Sequence, residues 1–173
     1  MNLKRSVVRY LAENGFPIQG LSMHITLKVE KFKEGQSTPY SVLESHHNKF
    51  LVEGMNHLWE LAVGVASAHW DEANARIGVG DGNDTDDEAL TGLQGTNKSY
   101  HAMDTGFPTH ATDKQAVFKA IFATDEGNQS WQEFTVDNGG TSGMDLLRIV
   151  ADKGTKSSGE TWTVTITAIL ANP

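Results

Sequence analysis

The densest group of ligand-type side chains is Asp81-Gly82-Asn83-Asp84-Thr85-Asp86-Asp87-Glu88, which places five carboxylates in eight residues. Hard cations such as calcium take oxygen ligands of this kind, and an EF-hand loop offers them at alternate positions with Gly at position 6 and Glu at position 12. Counting from Asp81, those positions hold Asp86 and Gly92; counting from Asp84, they hold Ala89 and Gly95. The loop is therefore not an EF-hand. It reads as a solvated turn in which Asp84 or Thr85 caps a short helical turn around Glu88 to Leu90. An irregular calcium loop stands as the alternative, and no metal or other cofactor is expected.

Gly78-Val79-Gly80-Asp81-Gly82 has the spacing of a phosphate-binding turn but lacks the third glycine of G-x-G-x-x-G and the Gly-Lys-Ser/Thr of a P-loop. Tight-turn geometry accounts for these glycines. His46 and His47 are adjacent, so on a strand they point to opposite faces and cannot chelate together. His57-Leu58-Trp59-Glu60 reverses the order of a di-iron Glu-x-x-His pair. Together with His69 these read as scattered polar histidines. The chain has no cysteine and no G-x-S-x-G elbow, and no spacing joins a nucleophile to a base. Paired carboxylates that meet only in space remain open. Trp59, Trp70, Trp131 and Trp162 fall in separate segments and read as core or interface residues. No catalytic residue is expected.

The elements that would position these side chains are mostly strands. Ile25, Leu27 and Val29 alternate with Thr26, Lys28 and Glu30, the period of a half-buried strand. Turn chemistry at Gly35 to Pro39 leads to a second strand over Tyr40 to Glu44. Helical spacing of Phe50, Leu51, Leu58, Leu61, Ala62 and Val65 predicts one main helix over residues 48–66, with Asn48 as N-cap. Gly54 and Gly64 weaken that helix and allow close packing on a sheet. Further strands are expected at Arg76 to Val79, Lys98 to Met103, Val117 to Ala123, Trp131 to Val136 and Leu146 to Ala151. The closing segment is the clearest strand: Trp162, Val164, Ile166 and Ala168 face one way, and Thr161, Thr163, Thr165 and Thr167 the other. Strand candidates separated by Gly/Asn/Asp turns predict a mainly β fold, an antiparallel β-sandwich of jelly-roll or immunoglobulin-like type. The expected division is residues 1–20 as an arm or short helix and residues 21–173 as a single sandwich domain.

The charge is uneven. Residues 1–50 carry seven Lys/Arg against four Asp/Glu, and the rest of the chain carries seven against eighteen, for a formal net charge of −8. An acidic body argues against nucleic acid, whose phosphates need a positive footprint. No apolar run approaches the roughly 18 residues of a membrane span, and the start lacks the apolar core of a signal peptide. The first residues are basic and amphipathic. Lys4, Arg5 and Arg9 fall on one side and Val7, Val8 and Leu11 on the other, which makes these six the candidate partner-binding residues, directed at an acidic protein surface.

Three blocks in order, Asn48 to Val63 (NKFLVEGMNHLWELAV), Ala75 to Leu93 (ARIGVGDGNDTDDEALTGL) and Thr161 to Leu170 (TWTVTITAIL), resemble a group of tailed-bacteriophage virion proteins. The resemblance spans about residues 48–170. It departs where Asp84-Thr85-Asp86-Asp87 replaces the family's Thr-Ala-Pro. It implies a non-enzymatic structural component located in the virion and assembled in the host cytoplasm, and it supplies no catalytic residue. A capsid-decorating or cementing subunit docked on the major capsid protein or another virion protein is the leading expectation, with a homo-oligomer as its state. The alternatives are a tail or fibre component that contacts the host, and a carbohydrate-binding or adhesion module.

Overall fold

The computed structural model describes residues 22–47, 49–85, 87–110, 114–139 and 143–171 of the chain. The expected arm with its six candidate partner-binding residues, Lys4, Arg5, Val7, Val8, Arg9 and Leu11, lies outside the described residues, as do Asn48 and Asp86.

Among the described residues, eight strands and one helix follow in the order β1 (Ser22–Lys33), β2 (Ser41–His47), α1 (Val52–Ala62), β3 (Arg76–Gly80), β4 (Lys98–Ala102), β5 (Gln115–Phe122), β6 (Glu133–Asp137), β7 (Asp145–Val150) and β8 (Glu160–Ala171). They form two antiparallel four-stranded sheets, ordered β2-β1-β8-β5 and β4-β3-β6-β7. One apolar cluster lies between the two sheets, so the fold is the expected β-sandwich. Its spine is the pairing of β1 with β8, which runs from Ser22 opposite Ala171 to Lys33 opposite Glu160.

The alternation read from the sequence decides the facing. Ile25, Leu27 and Val29 of β1, Phe118, Ala120 and Phe122 of β5, and Trp162, Val164 and Ile166 of β8 are all buried. The opposite sheet answers with Ile77, Val79, Phe134, Val136, Leu147 and Ile149. Trp131 joins the layers at one end. Its ring meets Phe122, Phe134 and Trp162 at centroid distances of 4.9, 6.0 and 4.7 Å, all edge-on, the arrangement that aromatic quadrupoles favour. The indole N–H of Trp131 donates to Gly127 O at 2.8 Å, so burial leaves no polar atom of that ring unpaired.

The helix is shorter than its periodicity predicts. Phe50 and Leu51 belong to the approach: Phe50 bridges to Leu147, and the Leu51 N–H donates to Leu146 O. Those backbone bonds to β7 compete with helix formation and hold the first turn back to Val52. Leu51 occupies the N-cap with no side-chain cap bond, so the expected capping role of Asn48 is not part of this helix start. At the other end Gly64 adopts φ +74°, and the N–H groups of Val65 and Gly64 return to Glu60 O and Leu61 O. That is a Schellman closure, which needs a residue without a Cβ penalty in the left-handed region. Gly54 has the packing role expected of it: a Cβ there would sit 2.5 Å from Leu146 O. The buried stripe of α1 is thus Gly54 and His57, while Val65, expected on the apolar side, is exposed.

Replacing Trp162 with Ala removes a fully buried ring from the apolar cluster. Urea unfolding of that variant is expected to show a loss of about 3–5 kcal/mol.

Candidate functional site

The outer face of the second sheet carries the main concentration of charge. Along β6, β7 and β3 the outward positions are Glu133, Thr135, Asp137, Arg148 and Arg76, and all but Arg76 are buried. Two segments cover them: α1 from one side, and the loop from Asp81 to Asn97 from the other.

Glu133 and Arg148 sit beneath that loop with 0% side-chain exposure each. Arg148 Nε donates to Glu133 Oε2 at 2.8 Å, and Nη2 lies 2.7 Å from the same oxygen, close in charge but off the N–H direction. The carboxylate also accepts backbone N–H groups from Gly95 (2.6 Å), Gln94 (2.9 Å) and Gly82 (3.3 Å). These bonds explain the glycine run singled out in the sequence. A Cβ at Gly80 or Gly82 would lie 2.5 or 2.6 Å from Glu133 Oε1. The glycines therefore admit a carboxylate of the protein's own.

Asp81 fixes the two ends of the same loop. Its oxygens accept from Asn97 N (3.0 Å) and Asn97 Nδ2 (2.6 Å), and these bonds hold the Asp81 carboxyl below its ordinary value. Farther along, Asp87 rather than Asp84 or Thr85 caps the turn, through Ala89 N to Oδ1 at 3.0 Å. Among the described residues no three His, Asp or Glu side chains converge as a metal site.

At the edge of the face Arg76 grips Asp137 with two bonds, of 3.0 and 2.6 Å, and its guanidinium lies 5.0 Å from the centre of the Tyr100 ring. Asp145 lies between Asp137 and Glu53. Burial pushes its carboxyl up to about 6, and the neighbouring acids add to the shift. Thr135 Oγ1 lies 2.5 Å from Asp145 Oδ1 and 2.7 Å from Leu147 O, and one hydroxyl hydrogen cannot serve both. Donation from Thr135 to Asp145 works against the rise, and burial outweighs it. Burial likewise raises the Tyr100 phenol to about 12.

A carboxyl shifted this far often marks catalysis. Here its surroundings are filled. A Cβ at Gly92 would come within 2.7 Å of Asp145 Oδ2, one at Gly78 would meet the Tyr100 ring at 2.6 Å, and Glu53 receives the Asp145 N–H at 3.3 Å. The arrangement clamps a loop and a helix onto a sheet.

The histidines separate into different roles. His46 is exposed and bonds Thr26 at 3.2 Å; His47 turns to Ser45 at 3.1 Å. His57, expected to be one of several scattered polar residues, is instead buried. It bonds Glu60 at 3.0 Å and Ala68 O at 2.7 Å, stands edge-on to Trp70, and touches Asn138 Nδ2 at 3.0 Å. It ties the helix to the turn after β6.

A second charged cluster closes the far end of the sandwich. Lys31, Lys153 and Lys156 are buried, and burial lowers all three ammonium groups. Lys31 lies over the Trp162 ring at 3.9 Å and donates to Lys153 O; Lys156 donates to Ala123 O at 2.6 Å. Beside them burial works to raise Glu160, but bonds from Lys33, Tyr40 and Ser157 overcome it and hold the carboxyl at about 2.

One more surface stands out on α1. Val52, Trp59 and Val63 fall within one stripe at helical spacing, opposite Gly54 and His57. Trp59 is 72% exposed, Val63 68% and nearby Val65 76%. The helix carries no Lys or Arg, and Glu53 and Glu60 lie along one side of the stripe.

Compared with known protein families, curated proteins and solved structures, the chain finds no match.

Two outcomes follow from the clamp. Arg148→Met leaves Glu133 charged and unpaired in the interior, and is expected to cost about 3–5 kcal/mol in urea unfolding. The double variant Glu133→Leu with Arg148→Met is expected to lose less than Arg148→Met alone. For Asp145 the folded value of about 6 lies above the unfolded one near 3.8, so the folded state binds the extra proton and stability falls as pH rises through 6. Between pH 5 and 8 that fall is about 1 kcal/mol, and Asp145→Asn is expected to remove it from the difference in unfolding free energy.

Proposed function

We propose that this chain is a non-enzymatic assembly subunit that docks on a larger structure, and that the larger structure is a bacteriophage virion. The observation that supports docking is the exposed surface of Trp59 on α1 with Val63 and Val65 just past its end, the other side of the helix being fixed to the sheet. Large aromatic and aliphatic side chains that cluster in solvent, with carboxylates along one side, have the composition of an interface core and part of its rim. Because α1 offers acids and no cations, the fitting partner presents apolar side chains ringed by Lys or Arg. The finer reading, a capsid-decorating or cementing subunit on the major capsid protein, is supported by the likeness of the three sequence blocks to tailed-phage virion proteins.

In this reading attachment has two parts. The helix stripe supplies apolar area, and the basic segment with Lys4, Arg5 and Arg9 meets acidic groups on the assembly. Rim charges act mainly on association rate and salt sensitivity, so the stripe carries most of the hold.

Trp59→Asp with Val63→Asp alters only exposed positions and is expected to leave the melting temperature within a few degrees of the parent. Co-sedimentation with virus particles is expected to fall at least tenfold. Substituting Lys4, Arg5 and Arg9 with Ser is expected to give a milder, salt-sensitive loss. Undiminished occupancy by both variants would refute the docking surface, with the sheet edges and the 81–93 loop as the remaining contacts to map.

A further inference from the structure

Lys156 stands in the segment between β7 and β8 with 1% of its surface exposed. Its Nζ donates to Ala123 O at 2.6 Å and to Asn128 Oδ1 at 2.9 Å. Both oxygens are neutral, so neither bond offsets a full positive charge taken out of water. Burial lowers this ammonium group, against the pull of the charges on Glu160, Glu126 and Asp125. An amine desolvated in this way is drawn toward its free-base form, which is the nucleophilic one.

The group it meets is a carbonyl carbon. The Asn128 oxygen is turned to the amine because Nδ2 is spent on Thr124 O at 3.0 Å. The amide carbon, one C=O bond beyond Oδ1, therefore lies within about 4 Å of Nζ. The backbone fixes that approach. Lys156 N–H bonds Gln129 O at 2.9 Å, Ser130 bridges to Thr155, and Trp131 N–H bonds Gly154 O at 2.9 Å. The turn from Ala123 to Asn128 rests on the core: a Cβ at Gly127 would stand 3.1 Å from the Phe122 ring and 3.4 Å from that of Trp131. Well-oriented groups within one molecule react as if at about 10⁵ M or more. Asn128 itself is exposed, which leaves a way out for a small leaving group.

We propose that Lys156 and Asn128 join in an isopeptide bond, formed once by the folded chain on itself. The lone pair of the unprotonated Nζ attacks Cγ of Asn128. A bond from Nζ to Cγ forms and the bond from Cγ to Nδ2 breaks. One Nζ proton passes to the departing nitrogen, which leaves as ammonia, so the step balances without an oxidant or reductant. Glu126, in the same turn as Asn128 and felt as a charge at Nζ, supplies the carboxylate that carries this proton. The product ties the loop after β5 to the segment before β8 and staples the lysine end of the sandwich. The inference goes beyond the docking reading and does not rest on it.

The test is the intact mass of the full chain, measured unfolded. The expected mass is about 17 Da below that of the sequence, the weight of the ammonia lost. Trypsin is expected to leave residues 120–148 joined to residues 154–173 in one branched peptide, because the linked Lys156 no longer offers a cleavage site. Asn128→Ala and Lys156→Met are each expected to run at their own full sequence mass. Asn128 is exposed and Met keeps most of the buried stem, so circular dichroism of both variants is expected to match the parent. Glu126→Gln is expected to slow linkage at least tenfold, read as the share of chain still unlinked. A parent at its full sequence mass would overturn the proposal. So would a deficit of the expected size carried by linear peptides alone, the mark of a ring closed at an Asn-Gly pair such as Asn138-Gly139. Undiminished linkage in Glu126→Gln would overturn the part given to that carboxylate. Virus particles play no part in this measurement, so its failure leaves the docking reading separately testable.

Discussion

Glu133 and Arg148 lie opposite the core, on the outward face of the second sheet, with no solvent contact at all. Two full charges there cost several kcal/mol each to desolvate, and their attraction repays that only if the remaining lone pairs are also satisfied. The loop from Asp81 to Asn97 supplies what is missing through its backbone N–H groups. The pair, the loop and the glycines therefore depend on one another. Without the loop the carboxylate would be short of donors, and without Gly80 and Gly82 the loop could not approach. The same dependence extends to α1, because Val52 N–H bonds Glu88 O and Asp145 N–H bonds Glu53 at the neighbouring edge. A sheet face that would otherwise be wet becomes a second buried layer, polar where the first is apolar.

This layering explains which parts of the fold were legible from the sequence. Strand positions and inward faces follow from alternation: Trp162, Val164 and Ile166 sit where their period places them. The charged residues of the second sheet carry a weaker signal. Glu133 opens EFTVD beside core-facing Phe134, and Arg148 stands within the apolar run LLRIV between core-facing Leu147 and Ile149. A charge in such a run implies a cover on the other side of the sheet, but no local pattern states what the cover is. The acidic loop drew attention for its carboxylates, while its backbone donors and its glycines proved to be the structural parts. His57 escaped for a similar reason, since its partners at Ala68 and Asn138 are distant in sequence or lack any ligand-like spacing.

The helix makes the opposite point. Apolar residues at helical spacing predicted a core-facing stripe, yet the sheet takes Gly54 and His57 as its contacts because the backbone of β7 comes too close for larger side chains. The apolar residues displaced from the contact are turned outward. Hydrophobic periodicity locates a helix; it does not say whether the burial it implies occurs within the chain or against another molecule.

The pairing of Ser22 with Ala171 has a mechanical consequence. The two ends of the described domain leave from neighbouring strands at one pole. Tension applied through both ends would load the β1–β8 ladder across its hydrogen bonds and open them one pair at a time, starting at Ser22, whereas ends at opposite poles would load many bonds together in shear. Such a domain resists little force as a link in series. Held by its lateral surface, with both ends free of load, it would be spared that weakness.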